Sequence, residues 1–163
     1  MIDRLFFALT LVSALGCGLV AGIFFAFSAF VMKALARIPA AQGIAAMQSI
    51  NVAVINPLFM AVFLGTGVGC LILAIASLSQ WHKPSAVFHL TGSLLYLIGS
   101  ILVTLAFNVP LNDALAALDP ASADGATLWA GYVTGWTTWN HVRTAAALAA
   151  GAFLTIALCL ARE

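Results

Sequence analysis

The sequence predicts an all-α integral membrane protein: a four-helix bundle with two short interfacial helices. Three observations carry this. The chain of 163 residues is 64% hydrophobic and only 7% charged, with mean hydropathy +1.13, whereas a water-soluble domain typically carries about a quarter charged residues. Four apolar runs, at about 5–32, 57–78, 86–107 and 127–160, each reach the roughly 20 residues that a spanning helix needs. The breaks between them hold prolines, asparagines and most of the charges. The length fits one domain, 1–163.

The same composition excludes other classes. A net charge of +1 with no basic run gives nucleic acid nothing to bind. Cys17, Cys70 and Cys159 lie apart in apolar runs, as neither a disulfide framework nor a zinc pattern. They read as small buried hydrophobes.

The first run is far longer than the roughly 7–15 apolar residues of a secretory signal, so it reads as a retained helix. It ends in Phe24, Phe25, Phe27 and Phe30, then Lys33 and Arg37, an aromatic belt followed by interfacial cations. Pro39 opens a short helix with Ile44, Met47, Ile50 and Val54 on one stripe, the pattern of an amphipathic interfacial helix. Asn56 before Pro57 is the expected N-cap of the second span. Ser79–Ser85 is a compact polar loop. His89 sits just inside the third span, and Pro110 opens a second short helix that Asp119-Pro120 ends. The final helix starts near Thr127. Three GxxxG pairs, Gly18/Gly22, Gly65/Gly69 and Gly131/Gly135, offer faces for close helix approach, within the bundle or between copies of the chain.

Four spans put both termini on one side with the Ser79–Ser85 loop. Basic residues are nearly balanced, Arg4, Lys83 and Arg162 against Lys33 and Arg37. The aspartate-rich connection of Asp113, Asp119 and Asp124 favours cytoplasmic termini, in a bacterial inner membrane. Whichever way the chain is inserted, Asn51, Asn56, Asn108, Asn112, His141 and Arg143 come to one membrane face. His89 to Asn108 is roughly 28 Å at 1.5 Å per residue, so His82 and His89 do not share a site with His141.

That face offers one histidine, Asp113 and several amides. A three-histidine metal site is excluded unless chains combine, and no phosphate loop or haem-attachment motif is present. No metal or cofactor is therefore expected. An imidazole beside an arginine at the mouth of an apolar bundle suits base chemistry on an apolar, acidic substrate. His141 would accept the proton and Arg143 would stabilise the oxyanion. Asn51, Asn56, Asn108, Asn112, Trp139 and Asn140 are the candidate substrate-binding residues. The residues leave a second reading open, in which these side chains only bond to one another and pin the loops.

Four segments carry a resemblance: Gly22–Ser28, Asn56–Phe59, Asn108–Asn112 and Trp139–Arg143. They resemble the small four-helix membrane proteins of the anthrone oxygenase-like family. The most specific parts are Asn-Val-Pro-Leu-Asn and Trp-Asn-His-Val-Arg, in that order. Lys33 departs from the family, where proline is common, which leaves the shape of the first connection open. Fungal members convert an anthrone to an anthraquinone with molecular oxygen and, as usually described, no added cofactor. The resemblance implies that Asn108, Asn112, Asn140, His141 and Arg143 are characteristic positions. It also implies a lipophilic, enolisable aromatic substrate, although fold carries over more securely than activity. The rival class is a non-catalytic membrane protein that binds or moves a small lipophilic molecule or supports a partner.

Overall fold

The computed structural model describes residues 2–160, with side chains for 4–160. Arg162, counted above with the termini, lies outside the described residues. Among the described residues five helices make the fold. α1 runs as Ile2–Ala26, a π-helical turn Phe27–Val31 and a last turn Met32–Leu35. α2 is Ala40–Ala53 and α3 is Pro57–Ser79. α4 is Ala86–Ala116 and α5 is Ala123–Leu160. α1, α3, α4 and α5 are long and apolar enough to cross a membrane, which fits an integral membrane protein. Among the described residues there is no strand.

The four long helices close a ring. α5 packs most extensively on α1 and α4, and α3 completes the circuit between α4 and α1. Their shared core holds Val20, Phe24, Phe63, Leu73, Tyr96 and Leu154, with Cys17 and Cys70 buried among them. The third cysteine, Cys159, is exposed instead.

A second core lies beyond the start of α3 and takes none of its residues. Met32, Ile44, Met47, Leu115, Trp129, Tyr132 and Trp136 form it. It joins the last turns of α1, the apolar side of α2, the end of α4 and the aromatic first third of α5. The stripe of α2 read as interfacial is thus buried against protein at Ile44 and Met47. Gln48 fixes α2 there by donating to the Leu115 and Leu118 carbonyls at 2.9 and 3.1 Å.

Local chemistry sets the helix ends. Asn56 caps α3, its Oδ1 accepting from the Phe59 N–H at 3.0 Å, with Pro57 in the first turn. α5 begins at Ala123, earlier than the sequence expectation at Thr127, because Ser122 Oγ accepts from the Gly125 N–H at 3.0 Å and caps it.

α4 differs more. The expected break at Asn108–Asp113 is absent, and the segment after Pro110 continues the third span without interruption. π-helical turns at Leu97–Leu102 and Thr104–Asn108 lie directly ahead of Pro110. Such turns accommodate a residue that cannot donate to the helical ladder.

The GxxxG pairs are mostly not where helices meet. A Cβ at Gly18, Gly22, Gly65 or Gly131 would touch nothing. Close approaches occur at Gly69 against Ser13 and at Gly99 against Ala146.

Candidate functional site

The site is built around one face of α5. Trp136, Asn140, Arg143 and Ala147 follow at spacings of four, three and four, which keeps them on one side of an α-helix. All four are buried. Facing them are Phe24 and Ser28 of α1 and Thr104 and Asn108 of α4. Ser28 lies in the π-turn of α1, and Thr104 and Asn108 in that of α4. π-turns occur frequently at functional sites.

Asn140 ties α5 to α1. Its Nδ2 donates to the Phe24 carbonyl and to Ser28 Oγ, each at 2.7 Å. Its Oδ1 accepts from Arg143 Nη2 at 2.7 Å. Arg143 Nη1 donates to Thr104 Oγ1 at 3.1 Å, which ties α5 to α4. The guanidinium lies over the Phe24 ring, 4.3 Å from its centroid, and 5.0 Å from that of Trp136.

Arg143 is thus 5% exposed in apolar surroundings. Its partners are an amide oxygen, a hydroxyl and two ring faces, and its Nε has none. Among the described residues no carboxylate pairs with it. A buried cation held only by neutral groups costs several kcal/mol in desolvation. An anion reaching it recovers part of that cost, so the arrangement favours an oxyanion.

The other predicted residues divide. Asn108 is buried. Its Nδ2 donates to the Trp136 carbonyl at 3.2 Å and its Oδ1 has no partner. Asn112 Oδ1 accepts from Tyr132 Oη and Trp136 Nε1, both at 2.9 Å. Asn51 stands beside the Tyr132 hydroxyl, and its Nδ2 is buried without a partner. These three join the polar layer between the two cores. Asn56 does not, since it is exposed and spent on the cap. Trp139 stacks on Phe107, with ring centroids 3.5 Å apart.

His141 also stays outside the buried cluster. It is exposed, and no described residue bonds to it. Two positions along a helix means about 200° of rotation, so His141 and Arg143 point to nearly opposite sides of α5. His141 instead stands one turn beyond Thr137 and Thr138. Those two line a groove of about 290 Å³ with Met32, Lys33, Ala36, Val133 and Thr134.

The Anthrone oxygenase family profile matches residues 59–153, more than half of the chain. The chain belongs to the anthrone oxygenase family. No curated protein and no solved structure matches it. The anthrone oxygenase match takes in Asn108, Asn112 and Trp139–Arg143, and so the α4 and α5 sides of the cluster. The α1 side, with Phe24 and Ser28, lies before the matched region.

Thr104 and Trp136 are cluster residues that the sequence does not single out, and Ser28 is marked there only as the end of Gly22–Ser28. Single hydroxyls in apolar runs give no motif. Trp136 stands among Trp129, Tyr132 and Trp139, and an aromatic run at a helix start does not mark one ring as part of a site. The signal available was the 4-3-4 spacing of Trp136, Asn140, Arg143 and Ala147, which separates Arg143 from His141.

Proposed function

We propose that this protein is a membrane-embedded oxygenase acting on a lipophilic, enolisable aromatic of the anthrone class, and that Arg143 holds the ionised substrate. The observation that carries this is the buried, carboxylate-free guanidinium of Arg143 with its Nε unpartnered. Family membership supports the substrate class.

The reaction then runs as follows. The enol form of the substrate gives its proton to water at the interface, because the positive charge of Arg143 lowers the cost of the anion bound against it. The Asn108 Oδ1 acceptor orients a neighbouring hydroxyl. The ring carbanion gives its electron pair to O2, and a C–O bond forms to a peroxide. The peroxide takes up one proton. Loss of the second C–H proton with cleavage of the O–O bond leaves the carbonyl and water. One anthrone and one O2 give one anthraquinone and one water.

A second reading keeps His141 as the base. The groove bordered by Lys33, Thr137 and Thr138 favours it, because His141 stands one helical turn beyond Thr137 and Thr138 while Arg143 points to the other side of α5. Oxygen uptake with an anthrone, measured on vesicles carrying the protein, separates the two. On the Arg143 reading, Arg143→Met removes turnover and His141→Ala retains it. Loss in His141→Ala with retention in Arg143→Met would transfer the chemistry to the groove. Absence of uptake in the native protein would leave the binding-protein class standing and sink the oxygenase reading.

A further inference from the structure

We propose that the inward face of α4 carries a file of water molecules from His89 to the Arg143 cluster, and that protons exchange along it. His89, Ser93, Tyr96, Ser100, Thr104 and Asn108 follow one another at steps of four, three, four, four and four. All are buried except Thr104, which is half-buried. The file covers roughly 28 Å at 1.5 Å per residue. This inference does not depend on the oxygenase reading.

The backbone is bent to keep this file facing inward. At 3.6 residues per turn, each four-residue step overshoots a full turn by about 40°. The three steps from Tyr96 to Asn108 would carry the side chain about 120° round, toward the outside of the bundle. The π-helical turns at Leu97–Leu102 and Thr104–Asn108 hold more residues per turn and absorb that drift.

Two hydroxyls on this face, at Ser93 and Ser100, stand apart from most others in the chain. Thr10, Ser77, Thr104 and Thr155 bond back to carbonyls of their own helices at 2.7 to 2.9 Å, the ordinary way to satisfy such groups in an apolar helix. Ser93 and Ser100 do not. Both are fully buried with Oγ unpartnered. Two orphaned buried hydroxyls, one turn before Tyr96 and one turn after it on the same helix face, call for bridging water. Tyr96 donates to the Phe63 carbonyl at 3.0 Å and also bonds Thr66, which leaves one lone pair for a water donor.

Each end has a defined chemistry. At one, the His89 ring bonds the Ser85 backbone and stands 3.2 Å from Thr10 Oγ1. At the other end, the charge of Arg143 repels a proton, and the second core packs beyond it. The file is therefore a blind conduit to the cluster and not a pore.

Substituted-cysteine labelling in proteoliposomes tests the water. In a C17A/C70A/C159A background, Ser93→Cys and Ser100→Cys should react with aminoethyl methanethiosulfonate about tenfold faster than Leu94→Cys and Ile98→Cys, because only a hydrated thiol ionises readily. Equal rates at all four positions would overturn the proposal. A second measurement keeps the native cysteines. In D2O-equilibrated bilayers, exchange of the Arg143 guanidinium protons followed by solid-state NMR should slow about tenfold in Ser100→Val and stay unchanged in Leu94→Val. Unchanged exchange in Ser100→Val would equally overturn it.

Discussion

Arg143 and Asn140 stand one turn apart on α5, and the guanidinium donates to the amide oxygen at 2.7 Å. The same amide donates to α1 at the Phe24 carbonyl and Ser28 Oγ. One asparagine side chain therefore both supports the buried cation and fastens the two helices that pack most extensively.

Asn140→Ala is expected to destabilise the bundle by about 3 kcal/mol. The change leaves Arg143 Nη2 without its acceptor and leaves the Ser28 hydroxyl short of a donor, each a buried polar loss of about 1–3 kcal/mol. Equilibrium unfolding in mixed detergent micelles measures it. A change below about 0.5 kcal/mol, the ordinary range for surface positions, would show that this network carries little stability.

Arg143→Met should behave oppositely in stability and function. The cation has no carboxylate partner, so the change leaves no uncompensated opposite charge behind, and it removes a desolvation cost. The unfolding midpoint should hold or rise. Loss of an oxyanion-binding donor typically costs about 10²–10³ in turnover, so oxygen uptake with an anthrone should fall by at least that much. A folded Arg143→Met protein with full uptake would remove Arg143 from the chemistry.

Much of this fold is legible in the chain because a bilayer reads length and polarity. The four spans follow from apolar run length, and the start of α3 follows from Asn56 and Pro57. What escaped depends on helix phase and backbone distortion. His141 is the conspicuous residue of Trp139–Arg143, yet it points out, while its less conspicuous neighbour Asn140 is fully buried. The sequence places residues at a depth in the membrane, but the side they face depends on which helices flank them. Pro110 reads as a break, and π-turns upstream remove that break. The GxxxG pattern reports small residues without reporting direction, so Gly18 and Gly22 look like a contact face, yet a Cβ added at either meets nothing within the chain.

Asn56→Ala tests the part that the sequence read directly. The side chain accepts from Phe59 and donates to the Ala53 carbonyl at 2.9 Å, and a lost N-cap costs about 1 kcal/mol. Thermal unfolding should drop accordingly, with oxygen uptake unchanged because Asn56 lies outside the cluster. A fall in uptake at full stability would instead assign Asn56 to substrate.

Gly99→Ala and Gly18→Ala should part sharply, although both place one methyl on a membrane helix. A Cβ at Gly99 runs into the Cβ of Ala146, an atom fixed to the α5 backbone that cannot turn aside. α4 and α5 must then separate, and overpacking of this kind costs about 1–3 kcal/mol. The separation also pulls Thr104 from Arg143, so uptake should fall together with stability. At Gly18 the added methyl meets open space, and alanine is the better helix former by about 1 kcal/mol. Gly18→Ala should match or exceed the native protein in thermal unfolding. A loss of stability in Gly18→Ala that grows weaker on dilution of the protein would mean that this face packs against a second copy.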